Sequence, residues 1–131
     1  MVGVVLLSHG VFCCELIKSA AMIAGKLEQS DCVDLRPGED PDQFEDRIRS
    51  AVRKTDTGDG VLVLVDMIGG TPFNRIAMAA AELNVAILPG MNLPMVMSLI
   101  MERKPGSKLD ELAEHVMKVG QNGIRVLQKH S

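Results

Sequence analysis

Residues 61–72 read Val61-Leu62-Val63-Leu64-Val65-Asp66-Met67-Ile68-Gly69-Gly70-Thr71-Pro72, and this stretch decides the fold. The apolar run Val61 to Val65 has no polar side to turn toward water, so as a strand it must be covered on both faces. It stops abruptly at Asp66. Gly69-Gly70-Thr71-Pro72 then opens a helix, with Thr71 expected as its cap and Pro72 at its first position. A covered strand that feeds directly into a helix is half of a strand–helix–strand unit, which calls for a parallel sheet with helices on each side.

The same pattern repeats outward. Val2 to Leu7 is a second continuous apolar run, closed by Ser8-His9-Gly10. From Val11 to Ala24, Leu16, Ile17, Ala20, Ala21, Ile23 and Ala24 recur at helical spacing, and Gly25 is placed to stop that helix. A short strand is expected from Cys32 to Leu35, followed by a turn at Pro37-Gly38. Asp40-Pro41-Asp42-Gln43 supplies a cap, a first-turn proline and a Gln three residues on, for a helix to about Lys54 whose apolar face is Phe44, Ile48, Ala51 and Val52. Beyond Pro72 the sequence predicts a helix from Phe73 to about Glu82, a strand from Val85 to Leu88, and helices over Met95 to Glu102 and Ser107 to about Val119. A short final strand is expected at Ile124 to Leu127. The expectation is one α/β domain over residues 1–131, a doubly wound, mostly parallel sheet with helices on both faces.

Composition narrows the function. The 131 residues are 47% apolar and 24% charged, with three aromatic residues, Phe12, Phe44 and Phe73, so the core must be aliphatic. Fourteen Lys and Arg against 17 Asp and Glu leave a formal charge of −3, which gives neither the basic groove nor the stacking platforms that nucleic acid requires. Val2 to Leu7 is too short for a signal-peptide core, and no run approaches the roughly 18 apolar residues of a membrane span, so a cytoplasmic protein is expected. Cys13, Cys14 and Cys32 lack a paired metal spacing, and adjacent cysteines suit neither tetrahedral zinc nor an easy disulfide. They are expected as small apolar packing residues in a reducing compartment.

In an open parallel α/β sheet, ligands bind beyond the carboxyl ends of the strands, near the point where strand order reverses. The residues delivered there are Ser8-His9-Gly10, Asp66 to Thr71 and Pro89 to Asn92. If the first and third strands are neighbours, Asp66 reaches His9. A carboxylate that accepts the proton of one ring nitrogen fixes the tautomer and leaves the other nitrogen's lone pair free, as nucleophile or base. Gly69-Gly70 before a helix start offers backbone N–H groups and a positive dipole end to an anion, and the Thr71 hydroxyl adds a further contact. A lone strand-end His is more often a structural residue, Gly-Gly a plain turn and Thr-Pro a plain helix start. Together they describe a phosphoryl group carried on His9 Nε2, with Asp66 at Nδ1 and the Gly69 to Thr71 amides as cradle. No second acid, Walker lysine or metal cluster accompanies them, so the expected chemistry is metal-free and cofactor-free phosphoryl transfer between protein histidines.

Three motifs now carry a family resemblance: Ser8-His9-Gly10, Asp66-Met67-Ile68-Gly69-Gly70-Thr71-Pro72-Phe73-Asn74 and Gly90-Met91-Asn92-Leu93-Pro94-Met95. In this order, and with Pro37-Gly38-Glu39 between the first two, the chain resembles the EIIA domain of the mannose-type sugar phosphotransferase system over almost its whole length. The resemblance implies a phosphocarrier that accepts phosphate from phospho-HPr on His9, oriented by Asp66. It passes that phosphate to a histidine of EIIB, which serves membrane EIIC and EIID. Ser8, Gly69, Gly70 and Thr71 are the expected phosphate contacts. It also implies a homodimer in which Ile124 to Leu127 forms an antiparallel strand across the two copies. Relatives more often have Thr where Ser8 stands, which keeps the hydroxyl, and an aromatic residue where Val11 stands, which alters the docking rim.

Other readings are weaker. A receiver domain needs an acidic pair after its first strand to hold Mg²⁺, where this chain has Ser8-His9-Gly10. A histidine phosphatase places Arg before its His, and here Ser8 takes that place. The phosphotransfer subunit of phosphoenolpyruvate-dependent dihydroxyacetone kinase shares the fold and the phosphohistidine but lacks the Gly69 to Pro72 pattern. A non-catalytic regulatory domain of the same fold would have no use for an intact His9 and Asp66. His115 beside Glu111 and Glu114 is expected as a solvated helical residue, His130 as part of a frayed tail, Met91, Met95, Met97 and Met101 as filler, and Arg75 on a solvated helix face.

Overall fold

The computed structural model describes residues 1–129. His130 falls outside them. Strands and helices alternate as β1 (Gly3–His9), α1 (Phe12–Ala24), β2 (Ser30–Leu35), α2 (Pro41–Thr55), β3 (Val61–Val65), α3 (Gly70–Ala79) with a 3₁₀ turn at Ala80–Glu82, β4 (Val85–Pro89), α4 (Leu93–Glu102) and α5 (Leu109–Asn122). The sheet has the order β2-β1-β3-β4 and every pairing is parallel. β1 and β3 are therefore central neighbours, as the site requires.

Because side chains alternate along a strand, β1 and β3 each divide their residues between two cores. Val4, Leu6, Leu62 and Leu64 pack against Cys13 and Ala20 of α1, Val96 and Leu99 of α4, and Leu112 and Val116 of α5. Val5, Leu7, Val61, Val63 and Val65 pack against Phe44, Ile48 and Val52 of α2 and Ile76 of α3. Both faces are covered, which is why these strands carry no polar side chain between Val61 and Val65. Asp40 caps α2 by accepting from the Asp42 N–H, with Pro41 in the first turn, as its sequence predicts.

Three expectations need correction. First, α3 starts at Gly70 with Gly69 in the cap position, so Thr71 is not the cap and lies inside the first turn with Pro72. Two successive residues with φ of +77° turn the chain into the helix without a capping side chain, and only glycine adopts that conformation cheaply. Second, Ile124 to Leu127 forms no strand; these residues follow α5 as exposed coil. A strand needs a backbone partner, and the partner implied for this one belongs to a second copy. Third, Cys14 and Cys32 form a disulfide, and Cys13 is the free, buried thiol. Parallel pairing of Cys32 with Leu6 brings β2 beneath the first turn of α1, so the pairing spans 18 residues rather than the adjacent two.

Candidate functional site

His9 ends β1 and Asp66 follows the last residue of β3, with Leu7 and Val65 paired side by side behind them. One carboxylate oxygen, Asp66 Oδ2, accepts the backbone N–H of His9 at 2.9 Å and lies 2.8 Å from His9 Nδ1. The other, Oδ1, accepts the Met67 N–H at 2.8 Å. Two main-chain donors thus fix the carboxylate before it meets the ring, and it is only 14% exposed while the imidazole is half exposed. A carboxylate is an acceptor, so the hydrogen bond at Nδ1 puts the ring proton there and leaves the lone pair on Nε2.

Nε2 faces the start of α3. A Cβ placed on Gly70 would stand 3.1 Å from His9 Cε1 and 3.3 Å from Nε2, so the backbone at this point runs directly against the reactive edge of the ring. The first N–H groups of a helix have no intrahelical acceptor, and they carry the positive end of its dipole. Here they belong to Gly69, Gly70 and Thr71, and of these Gly70 stands against the ring.

Ser8 has a different place. It is fully buried, and its hydroxyl donates to the Gly10 carbonyl at 2.7 Å while accepting the Cys13 N–H at 2.8 Å. With these two bonds Ser8 locks the turn between His9 and α1 and satisfies one orphan donor of that helix. Thr71 lines an open hollow of about 330 Å³ with His9, Gly10, Arg36, Gly38 and Pro41. The loops that carry His9 and Asp66 also expose Val11, Phe12, Met67 and Ile68, an apolar rim beside the imidazole.

Sequence reasoning missed the support of that hollow. Arg47 of α2 donates through Nη1 to both oxygens of Glu39 and to the Asp34 carbonyl, and through Nη2 to Asp34 Oδ1. Glu39 in turn accepts the Arg36 N–H, which fixes the Pro37-Gly38 turn. The only sequence signal was a pair of acids before a helix that carries an Arg, a pattern too common to stand out. Arg75 is not solvated alone: it bridges α3 to Asp42 and Glu45 of α2, and the hydrogen bonds it donates to those carboxylates raise its pKa above the ordinary value. His115 pairs with Glu102 between α5 and α4, outside the constellation around His9. Met91 and Met95 are core residues, whereas Met101 is exposed.

Comparison with known proteins joins this geometry to a family. The family model EIIA-man, described as the PTS system fructose IIA component, matches residues 3–117. The chain is 30% identical over 97% of its length to the PTS system mannose-specific EIIAB component of Escherichia coli K12, and it spans 40% of that longer protein. It is 28% identical to the PTS system fructose-specific EIIA component of Bacillus subtilis, covering 99% of this chain and 89% of that one. Among solved structures, the mannose/sorbose specific IIA subunit of the phosphotransferase system from Enterococcus faecalis superposes with a TM-score of 0.86 at 26% identity, over 97% of this chain and 95% of that one. With most of its length matched by the family model, the chain belongs to the mannose-type EIIA family of the sugar phosphotransferase system.

Proposed function

We propose that the protein is a cytoplasmic phosphocarrier that takes a phosphoryl group from phospho-HPr onto His9 Nε2 and hands it to a histidine of EIIB for coupled sugar uptake. The observation that carries this reading is the 2.8 Å contact between His9 Nδ1 and Asp66, which directs the imidazole lone pair at the start of α3. In the first step the Nε2 lone pair attacks phosphorus in line. The P–N bond to the donor histidine breaks, and its electron pair returns to the donor ring. The negative charge spread over the equatorial oxygens is met by the Gly69, Gly70 and Thr71 amides, which are already oriented before the reaction. The second step is the same displacement in reverse, with His9 as leaving group; Asp66 then holds the departing ring in the tautomer it started from.

The hollow beside His9 is open to solvent, which suits a phosphate that arrives on another protein. The exposed Val11, Phe12, Met67 and Ile68 offer that protein an apolar landing surface around the imidazole. The matched relatives are components of mannose, fructose and sorbose systems, which supports a role in sugar transport over the dihydroxyacetone kinase reading.

Incubation with phosphoenolpyruvate, Enzyme I and HPr is expected to add one acid-labile phosphoryl group per chain, read by intact mass. His9→Ala is expected to remain unlabelled. An unchanged mass for the wild type, or label that survives His9→Ala, sinks the reading.

A further inference from the structure

The three cysteines stand apart from the phosphoacceptor chemistry, yet they sit directly behind it. Their sulfurs lie within 4.8 Å of one another. The Cys14–Cys32 disulfide joins the first turn of α1 to β2, the edge strand of the sheet, and Cys13 Sγ lies 3.9 Å from Cys14 Sγ. Cys13 is also the residue whose N–H holds Ser8 Oγ, the group that locks the turn behind His9. Val11 and Phe12, the exposed rim beside the imidazole, immediately precede it. One covalent tie therefore anchors the stretch of chain that presents both His9 and its apolar rim.

A disulfide in a protein that works in the reducing cytoplasm is seldom a permanent staple; it is more often a transient, redox-responsive bond. We propose that Cys14–Cys32 is a reversible redox modification site that sets the order of the His9 turn and its rim. The inference rests on the phosphocarrier reading for its cytoplasmic setting and for its effect on phosphoryl transfer. Opening needs a dithiol reductant. Its thiolate attacks one sulfur of the pair, and the Cys14–Cys32 bond breaks to give a mixed disulfide. The second reductant thiol then resolves that intermediate. Two electrons and two protons end on Cys14 and Cys32, and the reductant leaves as its cyclic disulfide. Closure is the reverse, driven by an oxidised dithiol. Burial pushes the Cys13 thiol up, so it stays protonated and does not compete for the bond.

In the closed state the rim is ordered before a partner arrives. In the open state docking must order Val11 and Phe12, and at the usual cost of immobilising a side chain this weakens productive encounter by about threefold to tenfold.

The test uses the full chain in buffers of graded reduced and oxidised dithiothreitol, with thiols trapped by alkylation and counted by mass. Cys14 and Cys32 are expected to appear together in one two-electron transition, with Cys13 protected in the folded state. Hydrogen exchange at the Gly10 to Cys13 amides is expected to quicken about tenfold on opening. KM for phospho-HPr is expected to rise about threefold to tenfold with kcat unchanged. The double variant Cys14→Ser with Cys32→Ser is expected to match the reduced wild type and to ignore dithiol. Thiols that stay open under oxidising buffer, equal exchange in the two states, equal KM in the two states, or a stoichiometric metal ion on the reduced chain would each overturn the proposal. Absence of phosphorylation in both states would refute the carrier reading alone, because thiol counting and hydrogen exchange do not depend on phosphate.

Discussion

Gly69 and Gly70 share a φ of +77° but differ in what stands above them. A Cβ on Gly69 would meet open space, whereas one on Gly70 would press on His9 Cε1 and Nε2. Alanine at either position pays for a positive-φ backbone that side chains rarely adopt, roughly 1–3 kcal/mol, which chemical denaturation will register in both variants. Only Gly70→Ala is expected to slow phosphorylation of His9 as well. Equal transfer rates in the two variants would separate α3 from the reactive edge of the ring. Asp66→Asn tests the other side of the imidazole. Its amide can turn a donor toward Nδ1 and favour the wrong tautomer, so the fold should persist while transfer falls by about tenfold to a hundredfold. Nitrogen chemical shifts of His9 report the tautomer directly. The positions of His9 and Asp66 were legible in the sequence because Asp66 directly follows one fully apolar run and Ser8-His9 closes another. The place of Ser8 was not, since its two hydrogen bonds depend on the path of a turn that no spacing rule describes.

At the level of elements, the apolar runs at Val2 to Leu7 and Val61 to Val65 announced strands that are covered twice, and their alternation into two cores followed from backbone geometry alone. The start of α3 was misplaced because Thr71-Pro72 is a familiar helix opening, and it competed with a glycine pair that enters the helix earlier. The Cys14–Cys32 tie was invisible for another reason: it exists only once β2 has paired with β1 in a particular register. A second long-range tie was equally hidden. Arg103, just past α4, reaches back to the Val2 carbonyl through Nη1 and to the Glu28 carbonyl through Nη2. Burial lowers its pKa, and its Nε has no partner among the described residues. Arg103→Ala leaves two carbonyls unpaired at the amino ends of β1 and β2, remote from His9. A loss of about 1–3 kcal/mol in urea unfolding, with phosphorylation unchanged under native conditions, is the expected result.

For the molecule as a whole, the order β2-β1-β3-β4 makes β1 and β3 neighbours, the one pairing on which the expected meeting of His9 with Asp66 depended. The assembly could not be read in the same way. Ile124, Val126 and Leu127 are exposed, and Ile124 lines an open apolar hollow with Leu88, Met95 and Met117. The homodimer that the family resemblance implies would give these side chains a use. Sedimentation is expected to find the full chain as a dimer and a variant lacking residues 124–131 as a monomer; a truncated chain that still dimerises would assign the interface elsewhere. The glycine pair at the head of α3 has one further consequence. The proposed anion cradle is made of main-chain amides and has no side chain to lose, so most substitutions around it are expected to leave its chemistry intact. Drift is then free to rework the rim of Val11, Phe12, Met67 and Ile68, and a lineage of such carriers can exchange partners while the phosphate's seat stays the same.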